Sequence, residues 1–313
     1  MSTTEIRIVF LGTSEFGIPV LEALQRAGHT IGGVITAPDK PAGRSYKTRV
    51  SPVKQWAEQQ HIVVLQPTNM CDPAFLEELR TMRPKIFIMA AYGTIVPKCV
   101  LEIPTEGTIN IHPSLLPKYR GASPIQTALL SGDTETGVTF ILADELMDHG
   151  PVVAQERLAI ETTDTNETLH RRASDLAANM MIKYLPQLLE NGMHTVEQDH
   201  THATFTKEIR RDDGKIDWTK DAISLERLVR AFYPWPGAFT FLPDNKRLKL
   251  LRVTLDTAAS GESGIVFDAP RTLGVFCKSG GLLLAHVQVE GKEPIDGTSF
   301  RNGHKELIQQ KLR

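Results

Sequence analysis

Apolar runs alternate with amphipathic segments over the first 190 residues. Five short runs have the composition of buried strands, at residues 6–11, 30–36, 85–90, 108–111 and 138–142. Helix-like segments fall between them, and three of these begin with a capping residue followed by proline, at Ser51-Pro52, Asp72-Pro73 and Ser123-Pro124. Strands that alternate with helices predict an α/β fold with a doubly wound, mostly parallel sheet of the Rossmann-like type.

The remainder of the chain has a different pattern. One long amphipathic helix is predicted over residues 164–191, with Gly192 as its stop, and the polar, aperiodic residues 193–207 are typical of a linker. A helix at 224–232 then precedes β-type runs separated by turn residues, at 238–242, 248–255, 264–267, 274–277 and 282–289. This pattern predicts a small, OB-like β-barrel. We therefore expect an α/β domain at 1–192, a linker at 193–207 and a barrel domain at 208–313.

Composition narrows the class of protein. With 313 residues, 41% hydrophobic and 23% charged, the chain fits a folded protein of two domains. No stretch approaches the roughly 18 apolar residues of a membrane span, so we expect a cytoplasmic protein without a membrane partner. We also expect the protein to be a monomer. Three cysteines far apart in sequence, Cys71, Cys99 and Cys277, favour buried thiols over disulfides.

Charge is divided unevenly. Residues 1–207 carry 18 Lys+Arg against 23 Asp+Glu, whereas residues 208–313 carry 17 against 14. A slightly basic second part is compatible with a polyanionic partner, although ordinary surface variation explains it equally well.

Polar side chains gather where two predicted strands end. Asn110 and His112 are two residues apart at the carboxyl end of their strand, so they share one face. Open α/β sheets bind ligands at that edge. Asp148 lies in a loop after the next strand and is expected to emerge beside them and to pair with His112. An isolated pair of this kind is still more often structural than catalytic.

A glycine-containing turn and two groups of possible metal ligands do not predict further binding sites. The turn after the first strand, from Gly12 to Gly17, lacks the glycine spacing of a dinucleotide site and favours packing. The carboxylates of Asp144, Glu145 and Asp148 invite a metal, but no metal-binding spacing accompanies them. His194, His200 and His202 likewise lack the spacing of zinc ligands, so we expect no metal site.

A basic insertion interrupts the strand and helix alternation after the second strand. It carries five cations against one acid, Asp39, and the cations are Lys40, Arg44, Lys47, Arg49 and Lys54. Long insertions of this kind often carry recognition, whereas a solvated surface loop is the simpler reading of the composition.

Together these segments resemble the folate-dependent formyltransferases. The resemblance is carried by NIHPSLLPKYRGASPIQ at residues 110–126 and MDHG at 147–150, and is extended by KPAGR at 40–44, SPVK at 51–54, GKIDW at 214–218 and RAFYPWP at 230–236. The first two segments indicate the chemistry, and the others indicate the acceptor.

The resemblance implies a set of roles. It implies that 10-formyltetrahydrofolate is the donor, that Asn110, His112 and Asp148 are catalytic, and that methionyl initiator tRNA is the acceptor. The implied folate wall consists of Ser114, Leu115, Leu116 and Pro117. The implied tRNA contacts are Lys40, Arg44, Lys47 and Arg49, with the C-terminal barrel behind them. A small amine such as an amino-sugar nucleotide is the alternative acceptor.

Overall fold

The chain folds into two compact units. The structure is a computed structural model that describes residues 6–42 and 47–313, with the backbone alone described at 40–42, 47–49 and 191. The first unit comprises Met1–Pro124, Glu135–Ala159 and His170–Lys207, and the second comprises Ile125–Thr134, Ile160–Leu169 and Glu208–Arg313. Residues 193–207 fall in the first unit, and the functional division into domains stays a prediction.

A seven-stranded sheet forms the centre of the first unit. In chain order its strands are β1 (Arg7–Gly12), β2 (Thr30–Ile35), β5 (Val64–Leu65), β6 (Ile86–Ala90), β7 (Thr108–His112), β8 (Glu135–Leu142) and β9 (Val152–Ala159). Their order across the sheet is β5-β2-β1-β6-β7-β8-β9. The first five pair in parallel, whereas β8 and β9 are antiparallel to their neighbours. The prediction of a mostly parallel α/β sheet is confirmed.

Burial explains why the central strands are continuous apolar runs. Val9 and Leu11 on β1 and Phe87 on β6 are fully buried, as strands covered on both faces of a parallel sheet require. Gly12 ends β1 where a Cβ atom would lie 2.9 Å from the carbonyl oxygen of Ala90. The glycine therefore serves close packing, as its context predicted.

The helices between residues 18 and 191 are α1 (Ile18–Arg26), α2 (Pro52–Gln59), α3 (Pro73–Thr81), α4 (Lys98–Leu101), α5 (Pro124–Ser131) and α6 (Asn166–Asn191). Helices α2, α3 and α5 begin at the prolines of the three predicted capping signals. The Ser51 hydroxyl accepts a hydrogen bond from the Lys54 backbone at the start of α2, and Asp72 caps α3 in the same way. None of the helices in the described residues has the length and apolar character needed to span a membrane.

The insertion after β2 contains a two-stranded hairpin. Its strands, β3 (Lys40–Ala42) and β4 (Lys47–Arg49), are antiparallel, and Lys40 pairs with Arg49. The predicted tRNA contact Arg44 lies outside the described residues. For the other three predicted contacts, Lys40, Lys47 and Arg49, the structure describes the backbone alone, in strands β3 and β4.

The second unit is built on an antiparallel sheet. Its strands are β10 (Ala238–Phe241), β11 (Arg247–Asp256), β12 (Val266–Ala269), β13 (Thr272–Phe276), β14 (Gly281–Val289) and β15 (Ile295–Asp296). They run in the order β10-β11-β14-β13-β12, with β15 paired to β14. Helices α7 (Ala222–Ala231) and α8 (Gly297–Gly303) accompany these strands, and the core includes Leu225, Leu284 and Phe300. This arrangement is consistent with the predicted small barrel.

The prediction of unpaired thiols is wrong for two cysteines. Cys71 and Cys99 form a disulfide, with their Cα atoms 6.3 Å apart. Cys71 precedes α3 and Cys99 lies in α4, so the fold brings together residues that are 28 positions apart in sequence. Cys277 is a buried thiol as expected, and burial raises its pKa to about 11.

Candidate active site

Strand β7 presents the two predicted polar residues on one face. Asn110 and His112 are separated by one residue, and both side chains face the same carboxylate, as the strand period predicted. The His112 ring is buried, with 4% of the residue exposed. Pro113 follows directly and cannot donate to a sheet ladder, so the chain leaves the sheet there.

Asp148 joins these two residues. Its Oδ1 accepts a hydrogen bond from Asn110 Nδ2 at 3.0 Å and lies 3.4 Å from His112 Nδ1. Its Oδ2 accepts a hydrogen bond from the backbone N–H of Gly121 at 2.8 Å. The structure thus brings together all three residues predicted to be catalytic, and their roles in chemistry stay a prediction.

The route by which Asp148 reaches the site differs from the prediction. Asp148 was expected to emerge beside Asn110 and His112 directly after the next strand of a mostly parallel sheet, but that strand, β8, is antiparallel to β7, with Leu142 opposite Ile109 and Thr139 opposite His112. The end of β8 therefore lies beside the start of β7. Residues 143–151 form a returning loop before β9, and this loop carries Asp148 back to Asn110 and His112.

The orientation of the His112 ring is fixed from its far side. Its Nε2 lies 2.9 Å from the carbonyl oxygen of Tyr119. Because a carbonyl oxygen can only accept, Nε2 must carry the hydrogen. The other ring nitrogen, Nδ1, is the one that faces Asp148.

The predicted folate wall is a well-anchored turn. Thr139 is fully buried on β8, and its hydroxyl donates to the Ser114 carbonyl at 2.6 Å and accepts from the Leu116 N–H at 3.2 Å. The Gln155 amide donates to the Leu116 carbonyl at 3.0 Å and to the Thr139 hydroxyl at 2.8 Å. Leu115 and Pro117 are half-buried, so they keep surface that a ligand can contact. Folate binding by residues 114–117 stays a prediction.

The base of the insertion is held by a compact polar cluster. Lys54 Nζ donates to Asp39 Oδ2 at 2.6 Å and to Gln66 Oε1 at 2.8 Å. Gln66 Nε2 donates to Asp39 Oδ1 at 2.8 Å, and these hydrogen bonds, above all the one from Lys54, hold the pKa of Asp39 below its ordinary value. Lys54 was grouped with the cations of the insertion, but its ammonium group is engaged at the base of the hairpin.

Sequence reasoning missed a set of residues behind Asp148. Gln198 hydrogen-bonds to backbone carbonyls on both sides of His149, and Arg120 hydrogen-bonds to Gln198 and to His200. The segment around Gln198 was read as an aperiodic linker, and its histidines were weighed only as zinc ligands. Within the described residues there is no group of three metal-ligating side chains.

Comparison with known proteins places the chain in a family. The protein-family model described as formyl transferase matches residues 6–185. A second family model, described as formyl transferase, C-terminal domain, matches residues 208–305. The chain belongs to the formyl transferase family, and the resemblance predicted from residues 110–126 and 147–150 is confirmed.

Individual relatives match over nearly their whole length. Two proteins named methionyl-tRNA formyltransferase, from Methylacidiphilum infernorum (isolate V4) and Myxococcus xanthus (strain DK1622), are each 41% identical to this chain. The first match covers 97% of both chains, and the second covers 96% of this chain and 95% of the relative. The solved structure of HypX from Aquifex aeolicus in complex with tetrahydrofolic acid is similar with a TM-score of 0.67 at 16% identity. That match covers 97% of this chain and 48% of HypX, about half its length, and it supports the fold alone.

Proposed function

We propose that this protein transfers the formyl group of 10-formyltetrahydrofolate to the free amino group of methionyl initiator tRNA, in preparation for translation initiation. The observation that carries the proposal is the 41% identity to proteins named methionyl-tRNA formyltransferase over 97% of both chains, including the C-terminal region. The cluster of Asn110, His112 and Asp148 indicates formyl transfer but not the acceptor. The similarity to these relatives over the rest of the chain favours the tRNA acceptor over an amino-sugar nucleotide.

The chemistry follows from the three clustered side chains. Attack of an amine on a formyl carbon builds negative charge on the formyl oxygen and positive charge on nitrogen, so the site needs donors and a proton acceptor. Asn110 uses one amide hydrogen on Asp148, and its second hydrogen can donate to the formyl oxygen. The reaction as proposed assigns no step to a metal ion.

His112 and Asp148 complete the proposed machinery. Since Nε2 of His112 is directed at Tyr119, donation to the formyl oxygen falls to Nδ1, which then requires the doubly protonated ring. The Asp148 carboxylate lies 3.4 Å from that nitrogen and is placed to help remove the proton of the attacking amine, directly or through one water. The tetrahedral intermediate then collapses with cleavage of the bond between the formyl carbon and N10 of the folate, and the proton taken from the amine passes to N10 of the departing tetrahydrofolate.

The acceptor is proposed to use two regions. The basic hairpin with Lys40, Arg44, Lys47 and Arg49 would contact the acceptor stem through phosphates, which attract lysine and arginine irrespective of sequence. Residues 208–313 would form the tRNA-binding domain, residues 1–192 the catalytic domain and 193–207 the connection. We propose that the protein acts as a monomer in the cytoplasm, where charged initiator tRNA is found.

One assay tests the function. A formyl-labelled folate donor is offered in parallel to methionyl initiator tRNA and to an amino-sugar nucleotide, and label transfer is measured. We expect label on methionyl-tRNA and none on N-acetylated methionyl-tRNA, which lacks the free amine. Label on the sugar nucleotide alone would replace the proposed acceptor with a small amine.

A further inference from the structure

Gln198 is a buried polar residue within an exposed segment. It is 6% exposed, whereas its neighbours Glu197 and Asp199 are exposed. Burying an amide is unfavourable unless its donors and acceptor find partners. The donor and the acceptor of the Gln198 amide are both hydrogen-bonded within the first unit, so the position of the side chain is fixed.

The partners of Gln198 flank the catalytic carboxylate. Its Nε2 donates to the Asp148 carbonyl oxygen at 3.0 Å and to the Gly150 carbonyl oxygen at 2.7 Å. Asp148 has a φ of 50°, in the left-handed region that costs a residue with a Cβ atom roughly 1 kcal/mol or more. Such a backbone persists only where its surroundings hold it. The hydrogen bond from Gln198 Nε2 to the Asp148 carbonyl oxygen is a side-chain contact that holds this main chain.

Arg120 fixes Gln198 in turn. Its guanidinium donates to Gln198 Oε1 through Nε at 3.2 Å and through Nη2 at 2.7 Å. This paired contact selects the amide orientation in which the Gln198 nitrogen faces the two carbonyls. Arg120 is 3% exposed, and both of its side-chain partners, Gln198 and His200, are neutral acceptors.

The same segment also supports the ring of His112. The Arg120 N–H donates to the Thr204 carbonyl at 2.8 Å, and the Thr206 N–H donates to the Arg120 carbonyl at 2.8 Å. The adjacent Tyr119 carbonyl is the acceptor for His112 Nε2. Residues 198–206 thus hydrogen-bond to the backbone of Asp148 and to the backbone next to Tyr119, whose carbonyl oxygen orients His112.

We propose that Gln198 is a positioning residue for formyl transfer, which, oriented by Arg120, fixes the backbone of Asp148 so that its carboxylate meets Asn110 and His112. Residues 198–206 are then part of the catalytic apparatus. The inference rests on the proposed function only for the choice of assay. A shift of about 1 Å in a reacting group can cost about a hundredfold in rate.

The test compares two substitutions at Gln198 with a matched control. Gln198→Met keeps the length of the side chain and removes every hydrogen bond, and Gln198→Glu keeps the acceptor for Arg120 and replaces the donor by an oxygen. The control is Gln187→Met, on the exposed side of α6. The values of kcat, of KM for both substrates and of Tm are measured well below the lowest Tm.

A positioning role predicts a specific division between these constants. We expect both Gln198 variants to lose at least tenfold in kcat, with both KM values within threefold of the parent, and Gln187→Met to match the parent. A kcat within twofold of the parent in a folded Gln198→Met variant, or a loss confined to KM, would overturn the proposal. Failure of the parent protein itself to formylate methionyl-tRNA would count against the proposed acceptor instead, and the ratios are then measured with the acceptor it does use.

A second variant decides the matter if the Gln198 variants do not fold. His200 is exposed, and its Nδ1 accepts from Arg120 Nη2 at 2.8 Å, so His200→Ala removes one support of Arg120 without opening the core. We expect a loss of about threefold to tenfold in kcat with both KM values unchanged. A kcat equal to that of the parent protein would contradict the proposed chain of support.

Discussion

Asn110 Nδ2 donates a hydrogen bond of 3.0 Å to Asp148 Oδ1, across 38 residues of sequence. The contact joins a strand residue to a loop residue, and it fixes the rotation of the Asn110 amide. With one amide hydrogen committed to the carboxylate, the second has a defined direction. Asp148 therefore orients Asn110 as well as His112.

Replacement of Asn110 by alanine tests that arrangement. Asn110→Ala removes a donor for the developing oxyanion, and we expect a loss of about 3 kcal/mol of transition-state stabilisation, or roughly a hundredfold in kcat. The measurement is steady-state kinetics with saturating folate donor and tRNA. Asn302→Ala, at an exposed position of α8, serves as the control. A kcat within a few fold of the parent protein would remove Asn110 from the catalytic group.

The buried hydroxyl of Thr139 is one of the groups that anchor residues 114–117. Thr139→Val keeps the shape of the side chain but removes the hydrogen bonds to Ser114 and Leu116 and leaves buried backbone groups unpaired. We expect the free energy of unfolding to fall by about 1–3 kcal/mol and KM for the folate donor to rise severalfold. Urea unfolding and donor titration measure the two effects.

The same strand offers a matched control for that prediction. Thr136 is also buried on β8, but its hydroxyl has no hydrogen-bond partner. Thr136→Val should therefore leave KM for the folate donor unchanged. It should leave the free energy of unfolding unchanged or raise it slightly, because it removes an unpaired polar group. Equal losses in the two variants would show that the effect comes from replacing a threonine on β8 and not from the anchoring of residues 114–117.

Strand β7 shows what the sequence pattern can predict. Its apolar run, between Gly107 and Pro113, predicted a strand within one residue of the observed Thr108–His112 and placed Asn110 and His112 on one face. The pattern could not give the direction of β8, because alternation of apolar and polar residues is the same for parallel and antiparallel strands. The position of Asp148 was consequently predicted for the wrong reason.

The periodicity of apolar and polar residues could not predict the residues that support the site. Gln198 and Arg120 are polar residues that are 78 positions apart in sequence, and only the fold brings them together and buries them. A buried amide gives no signal in composition, and the surrounding segment is otherwise exposed. The disulfide between Cys71 and Cys99 was missed on the same grounds, since closeness in space is not encoded in cysteine spacing.

The stabilisation that Asp39 provides at the base of the hairpin should decrease as the pH falls. The pKa of Asp39 is lowered from 3.8, chiefly by the hydrogen bond from Lys54, so the folded protein binds this proton more weakly than the unfolded chain. Its stabilisation is therefore complete above the unfolded value near 3.8 and is lost as the pH falls through the lower folded value. We expect Asp39→Asn to be less stable than the parent at pH 7, with the difference shrinking below pH 3.8.

Urea unfolding at several pH values measures that difference. Asp175→Asn, at an exposed position of α6, is the control for loss of a carboxylate from the surface. A difference between parent and Asp39→Asn that stays constant down to the lowest pH would contradict the lowered pKa of Asp39. Lys54→Met should reproduce the loss seen at pH 7, because it removes the main partner of the same carboxylate.

Replacement of Arg44 tests the proposed contact between the hairpin and tRNA. Each phosphate contact releases about 0.9 of a counterion, so Arg44→Ala should reduce the slope of log K against log salt for tRNA binding by just under one unit. KM for tRNA should rise, whereas KM for the folate donor should not change. Arg80→Ala, on the exposed side of α3, should leave the slope as it is. An unchanged slope in Arg44→Ala together with a lower Tm would assign Arg44 a structural role, and the phosphate contacts would then be sought among the remaining cations of the hairpin.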